Sequence, residues 1–341
     1  MRQYSNPAAE RSSWVDAAKG LGIILVVIGH TYLTPQWLVS WIYSFHMPLF
    51  FILSGVTLRI ARDVPLSHTV KKYAKAYLIP YAVLCLVNLV LEIGWQLLFG
   101  EITLAQIGKY ILGSIYCYAN MTWMPNCSPL WFFPCLFISK IVYIALSKRL
   151  SERSRLCAIL ALTMLSYLWY CFELPRMPWN VFPAMMGLLF LWIGEQMSKF
   201  RFPHRFSRGQ TLGLSTVMVL LLPVVIQNGA KVGMNENTYG NLLIFLIGAC
   251  GFSALTILLA KRVSHSRALS IFWGQNTIIV IGFNYFIRTF STELYYWIPF
   301  VKRFPIHWIS SFVLTILMLA GLIYGKMMTN SSFSDRKGKK Q

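Results

Sequence analysis

The sequence predicts an all-α, polytopic membrane helix bundle of about ten transmembrane helices, with both termini cytoplasmic. Three observations predict it. Of 341 residues, 56% are hydrophobic and only 12% charged, and the mean hydropathy is +0.56, far more apolar than a soluble domain. The apolar residues gather into runs of about 20, the length a helix needs to cross a hydrocarbon core. The Lys and Arg behind the net charge of +20 crowd into alternate connections, as expected when cations are retained on the cytoplasmic side. A nucleic-acid binder needs a hydrated cationic face, which this chain lacks between its charge clusters, so the expected partners include membrane lipids and no nucleic acid.

The expected spans run 17–34, 39–58, 76–99, 129–147, 156–173, 179–197, 211–228, 239–260, 271–289 and 306–328. With the N-terminus inside, Arg59, Lys71, Lys72, Lys75, Lys148, Arg149, Lys199, Lys261 and Arg262 fall on the inner side. The outer side holds far fewer cations, among them Lys109, Arg176, Lys231 and Arg288. An even helix count agrees with this. No repeat or long polar insert leaves room for a second domain. The chain therefore divides into a cytoplasmic segment 1–16, a transmembrane domain 17–328 and a basic cytoplasmic tail 329–341. The connection 100–128 contains "LAQIGKYILGSIYCYA", read as a short interfacial or re-entrant helix. "TYLTPQW" after the first run lacks the small-x-small pattern of a cleavage site, so the first helix is expected to stay as an anchor. Of seven cysteines, Cys117 and Cys127 share an outer loop, where a disulfide is one option in an oxidising compartment.

Ionisable groups inside a bilayer cost several kcal/mol unless they face other helices or water, so each is a functional candidate. Asp16, Lys19 and His30 in "DAAKGLGIILVVIGH" form the sharpest set. Eleven residues separate Lys19 from His30, close to three whole turns, so both lie on one face roughly 16 Å apart along the axis. Asp16 and Lys19 can pair at the cytoplasmic edge; the plainer alternative is an Asp16 helix cap and a snorkelling Lys19. His46, in "YSFHMPLFFILSG", opens the next span on the side where His30 ends, so the two imidazoles are expected at one depth, facing one pocket. A His46 that merely hydrogen-bonds backbone is an equal alternative. Arg59 and Arg62, three apart at the expected end of the second helix, would present two guanidinium forks suited to phosphate groups. A Glu92–Lys140 pair is conceivable, and Glu195 reads as interfacial. "TWMPNCSPLWFFP" and "FELPRMPWN" read as aromatic belts, with stacking on sugar rings the lesser alternative. No metal site is expected.

With these residues in view, Asp16-x-x-Lys19-Gly20 followed by His30 resembles the opening motif of the acyltransferase 3 family of integral membrane acyltransferases. "FHMPLFFILSG" resembles the family's second-helix signature and Arg59-x-x-Arg62 its R-x-x-R motif. "KGLGIILVVIGH" and "SPLWFFPCLF" are most similar to the branch containing fucose 4-O-acetylase-like proteins. Lys19 stands where the family usually has Arg, no acid follows Trp131 as in the family's Trp-Ser-Leu-x-x-Glu pattern, and Asn284 stands where a His is frequent. The resemblance implies O-acyl transfer, most simply of acetyl, from cytosolic acyl-CoA to a hydroxyl of a surface polysaccharide or its lipid-linked precursor, in the cytoplasmic (inner) membrane. Acetyl-CoA is then a co-substrate, and no permanently bound cofactor is expected. In this reading His30 is the general base or an acyl carrier, and Asp16 and Lys19 organise the inner mouth. Arg59 and Arg62 hold the donor's phosphates, and His46 orients His30 or the acceptor. The rival from another class is a proton-coupled transporter or flippase of a small polar or glycolipid substrate.

Overall fold

A run of long apolar helices accounts for almost the whole chain, because in lipid every backbone N–H and C=O has to be satisfied within its own segment. The computed structural model describes residues 7–61, 63–297 and 307–338, with side chains described from 13 to 329 of these. The helices are α1 (Pro7–His30), α2 (Gln36–Tyr43), α3 (His46–Val56), α4 (Leu66–Tyr73), α5 (Ile79–Phe99), α6 (Leu104–Tyr116) and α7 (Phe132–Arg149). They continue with α8 (Glu152–Cys171), α9 (Val181–Lys199), α10 (Arg208–Gly229), α11 (Leu242–Arg262), α12 (Thr277–Trp297) and α13 (Trp308–Gly338). A two-stranded antiparallel hairpin, β1 (Val232–Gly233) and β2 (Thr238–Tyr239), lies between α10 and α11.

Among the described residues nine helices are long and apolar enough to cross a membrane. The expected span without a counterpart among these nine, 271–289, corresponds to the turn Ala268–Asn276 and α12. This helix is 21 residues long, but Asn284, Arg288, Ser291, Thr292 and Glu293 lower its hydropathy. The second span is broken rather than continuous. Pro48, near the start of α3, lacks an N–H and crowds the carbonyl four residues back, so α2 and α3 meet at a bend over Ser44 and Phe45. α1 starts at Pro7, so Asp16 sits inside the helix and does not cap its start. α13 continues past 328 to Gly338, so the expected basic tail begins as helix. α6, with 13 residues and with Leu104, Leu112 and Ile115 exposed, is too short to span and suits an interface.

Without a hydrophobic drive between helices in lipid, close approach depends on small residues. A Cβ on Gly55 would land on the Leu191 carbonyl, and one on Gly194 would land on that of Ile52, so α3 and α9 touch backbone to backbone. Gly20 and Gly274 do the same for α1 and the irregular turn Ala268–Asn276 that leads into α12, meeting the carbonyls of Leu269 and Asp16. α1 is thereby held against this turn around Asp16 and Gly20.

Candidate active site

At its C-terminus α1 runs out of intrahelical partners for its carbonyls, and side chains supply them. Thr31 Oγ1 donates to Val27 O at 2.7 Å, Thr34 Oγ1 to Ile28 O at 2.8 Å, and Arg288 Nη1 of α12 to His30 O at 3.2 Å. A guanidinium at a helix C-terminus also complements the negative end of the macrodipole. The backbone carrying His30 is therefore held from two directions.

The His30 ring is half-buried, and its Nδ1 lies 2.7 Å from the Tyr43 hydroxyl. Tyr285 stands edge-on to it at 5.2 Å between centroids and His46 at 6.3 Å, perpendicular. His46 is buried, and its Nδ1 is 2.9 Å from Ile42 O. A carbonyl can only accept, so Nδ1 of His46 carries the proton and Nε2 is the acceptor. The same carbonyl accepts from Phe45 N at 3.2 Å across the bend between α2 and α3, so the imidazole is tied to the backbone of the bend itself.

His30, His46, Tyr43 and Tyr285 face one cavity of about 510 Å³. Its walls include Phe132, Trp131 and Ser128 from the approach to α7, Asn120 from the α6–α7 connection, and Lys231, Asn235 and Glu236 from the hairpin segment. The hairpin is a built wall. Asn237, at φ 58°, donates from Nδ2 to Ser166 O (3.0 Å) and accepts at Oδ1 from Ser166 Oγ and the Tyr239 hydroxyl, each at 2.9 Å. Asn228 ties its base through the Tyr239 carbonyl and the Asn241 amide, and Asn235 Nδ2 reaches Ala119 O at 3.3 Å. Glu236 pairs with Arg176 at 2.9 Å. The pattern after Trp131 lacks an acid, but the hairpin brings one into the same cavity.

The other predicted residues lie elsewhere. Asp16 and Lys19 pair at 3.0 Å, and Gln275 donates to the second Asp16 oxygen at 3.2 Å, so this group closes the seam between α1 and the turn before α12. It is three helical turns from His30 and lines none of the cavities described. Arg59 is not on a helix. α3 ends at Val56, where Thr57 Oγ1 bonds back to Leu53 O, and Arg59 is exposed in irregular chain beyond it. Arg62 lies outside the described residues.

Two open questions and one reading from the sequence are also answered. Glu92 and Lys140 do not pair: Glu92 accepts from Asn126 (2.6 Å) and Gln96 (2.9 Å), while buried Lys140 donates to the Tyr77 hydroxyl at 2.8 Å and lies over the Tyr73 and Tyr77 rings. Glu195 is not merely interfacial. It is bound by Arg155 (3.0 Å), Lys199 (3.4 Å) and the Tyr143 hydroxyl, beside a cavity of about 340 Å³ that Leu58 and Ile60, the neighbours of Arg59, also line. Cys117 and Cys127 are both free thiols, Cys117 accepting from Asn180 Nδ2 and Cys127 directed at Cys85 O. Sequence reasoning missed Tyr43, Tyr285, Arg288 and Glu236. Arg288 carried a signal, a cation at the polar end of an expected span, but was counted as a topology charge.

Set against known protein families, residues 12–330 match the acyltransferase domain of the acyltransferase 3 family. The chain belongs to that family. It is accordingly a multi-pass membrane acyltransferase, and the match takes in nearly all of the bundle just described. Comparisons with curated proteins and with solved structures return no match.

Proposed function

We propose that this acyltransferase moves an acetyl group from cytosolic acetyl-CoA to a sugar hydroxyl in the His30 cavity, in the cytoplasmic membrane. The observation that carries the reading is the pairing of His30 Nδ1 with the Tyr43 hydroxyl at 2.7 Å while the imidazole faces a roomy polar cavity. For Nε2 to act as base, Nδ1 must hold its proton and donate it to Tyr43, and a phenol oxygen can accept. Nε2 takes the proton from the attacking hydroxyl, the oxygen forms the ester bond, the C–S bond of the thioester breaks, and the proton passes to the departing CoA thiolate. His46, its Nε2 free as an acceptor, orients the sugar or the His30 ring. Trp131 and Phe132 supply apolar faces for a pyranose, and Asn235 and Glu236 supply acceptors for its hydroxyls.

At the other end of the bundle Arg59, with Arg62, takes the donor's phosphates, and Asp16 and Lys19 organise the mouth. A pantetheine arm then has to bridge roughly 16 Å between Lys19 and His30. The fucose 4-O-acetylase-like branch suggests a 6-deoxyhexose or hexose unit of a surface glycan or its lipid-linked precursor as acceptor.

The test is acyl transfer by the full chain in liposomes, with labelled acetyl-CoA supplied on the Arg59 side, comparing wild type with His30→Ala. Label on an added glycan, reduced about 100-fold or more in a variant that inserts normally, is the expected result. Undiminished transfer by His30→Ala removes His30 from the mechanism. A wild-type protein that neither consumes acetyl-CoA nor labels any glycan overturns the proposal and favours transport.

A further inference from the structure

Beside the His30 cavity lies a second one of about 320 Å³, and the two share Tyr170, Asn235, Glu236 and Thr238 as a common wall. Trp169, Glu173 and Arg176 line only the second. The partition is polar. Arg176 Nη2 holds Glu236 Oε1 at 2.9 Å, and its guanidinium lies over the Tyr118 ring at 5.2 Å. Its Nη1 is buried and, among the described residues, has no hydrogen-bond partner. An orphaned donor at such a junction costs free energy that a bound acceptor recovers.

Arg176 apart, the side chains that offer free polar atoms to this space include several acceptors. Asn235 spends its Nδ2 on the Ala119 carbonyl, which leaves Oδ1 as an acceptor. Glu236 has one oxygen outside its ion pair, and Glu173, exposed at φ 51°, adds a second carboxylate. Acceptors that take hydroxyl protons, one guanidinium that donates to ring or glycosidic oxygens, and the aromatic edges of Trp169 and Tyr170 together suit a carbohydrate. A hydrocarbon chain would leave the charges unpaired, and a small anion would meet two carboxylates.

We infer that the acceptor is a glycan of at least two linked sugar units, with the acylated unit in the His30 cavity and its neighbour in the Trp169 cavity, read by Arg176 and Glu173. This rests on the sugar-acylating function proposed above. The hairpin, anchored at both ends, sets the angle between the two units, so linkage as well as sugar identity is selected.

The experiment uses the purified full chain in lipid nanodiscs with radiolabelled acetyl-CoA. The probes are matched pairs: glucose, galactose, rhamnose and N-acetylglucosamine, each alone and as 1→3- and 1→4-linked disaccharides. For whichever sugar is acylated, the best disaccharide is expected to exceed the monosaccharide in kcat/KM by about tenfold or more. Arg176→Ala and Glu173→Gln are each expected to lower that ratio by about fivefold or more; Glu173, at the surface, makes the second variant safe for folding. Equal use of monosaccharide and disaccharide overturns the two-unit site while leaving sugar acylation intact. Variants that lower both rates in proportion overturn it as well. Failure to acylate any sugar overturns the acceptor assignment and this inference with it.

Discussion

Replacing Tyr43 with Phe isolates one hydrogen bond, between the phenol and His30 Nδ1 at 2.7 Å. The ring itself stays, and with it the contacts at 5.6 Å to His30 and 5.1 Å to His46, so the change in packing is small. As His30 takes a proton its imidazole becomes a cation, and a hydrogen bond to a charged group contributes about 1.5–3 kcal/mol. At about 1.4 kcal/mol per tenfold, Tyr43→Phe lowers kcat/KM roughly 10- to 150-fold. The assay is CoA release and label transfer in proteoliposomes, with membranes of the producing cells as the acceptor source. Because Tyr43 acts through His30, adding Tyr43→Phe to His30→Ala costs little further activity. A single variant within twofold of wild type, or a full additional loss in the double variant, refutes the assignment of Tyr43 as the group that positions His30.

The remaining expectations concern the frame around the site. Gly20→Ala drives a Cβ into the Leu269 carbonyl and is expected to destabilise the bundle by about 1–3 kcal/mol, read by thermal unfolding in detergent; Gly94→Ala, with open space around it, serves as the silent control. Arg155→Ala takes the 3.0 Å partner from half-buried Glu195, which keeps Lys199 and Tyr143, and is expected to cost about 1–3 kcal/mol, whereas Arg205→Ala at an exposed position does not shift the unfolding midpoint. Burial pushes the Cys117 thiol up to about 12, so at pH 8 only about one part in 10,000 is thiolate. Native protein is therefore expected to leave Cys117 unmodified by iodoacetamide, with modification appearing on unfolding, as mapped by mass spectrometry.

Composition and spacing by themselves determined the class of this protein. Hydrocarbon runs of spanning length leave the backbone no choice but helix, and that much is local. The depth of His30 and His46 is local too, since a short uncharged connection between two helices puts His30 at the end of one and His46 near the start of the next at one level. Spacing also allowed Asp16 and Lys19 to pair, because residues three apart on a helix are neighbours, and the structure chooses the pair over the helix cap. The tertiary structure decided what surrounds them. Arg288 and Tyr285 reach His30 across more than 250 positions of sequence, and Glu236 enters from a hairpin whose anchors, Asn237 and Asn228, carry no sequence pattern that marks them as such. α3 ends at Val56, so Arg59 lies beyond the helix on which it was expected. Lys140 finds phenols where a pairing with Glu92 was only conceivable. Helix periodicity encodes which residues share a face. Which faces meet depends on where glycines such as Gly20, Gly55, Gly194 and Gly274 allow backbones to touch, and that is a property of the packed bundle.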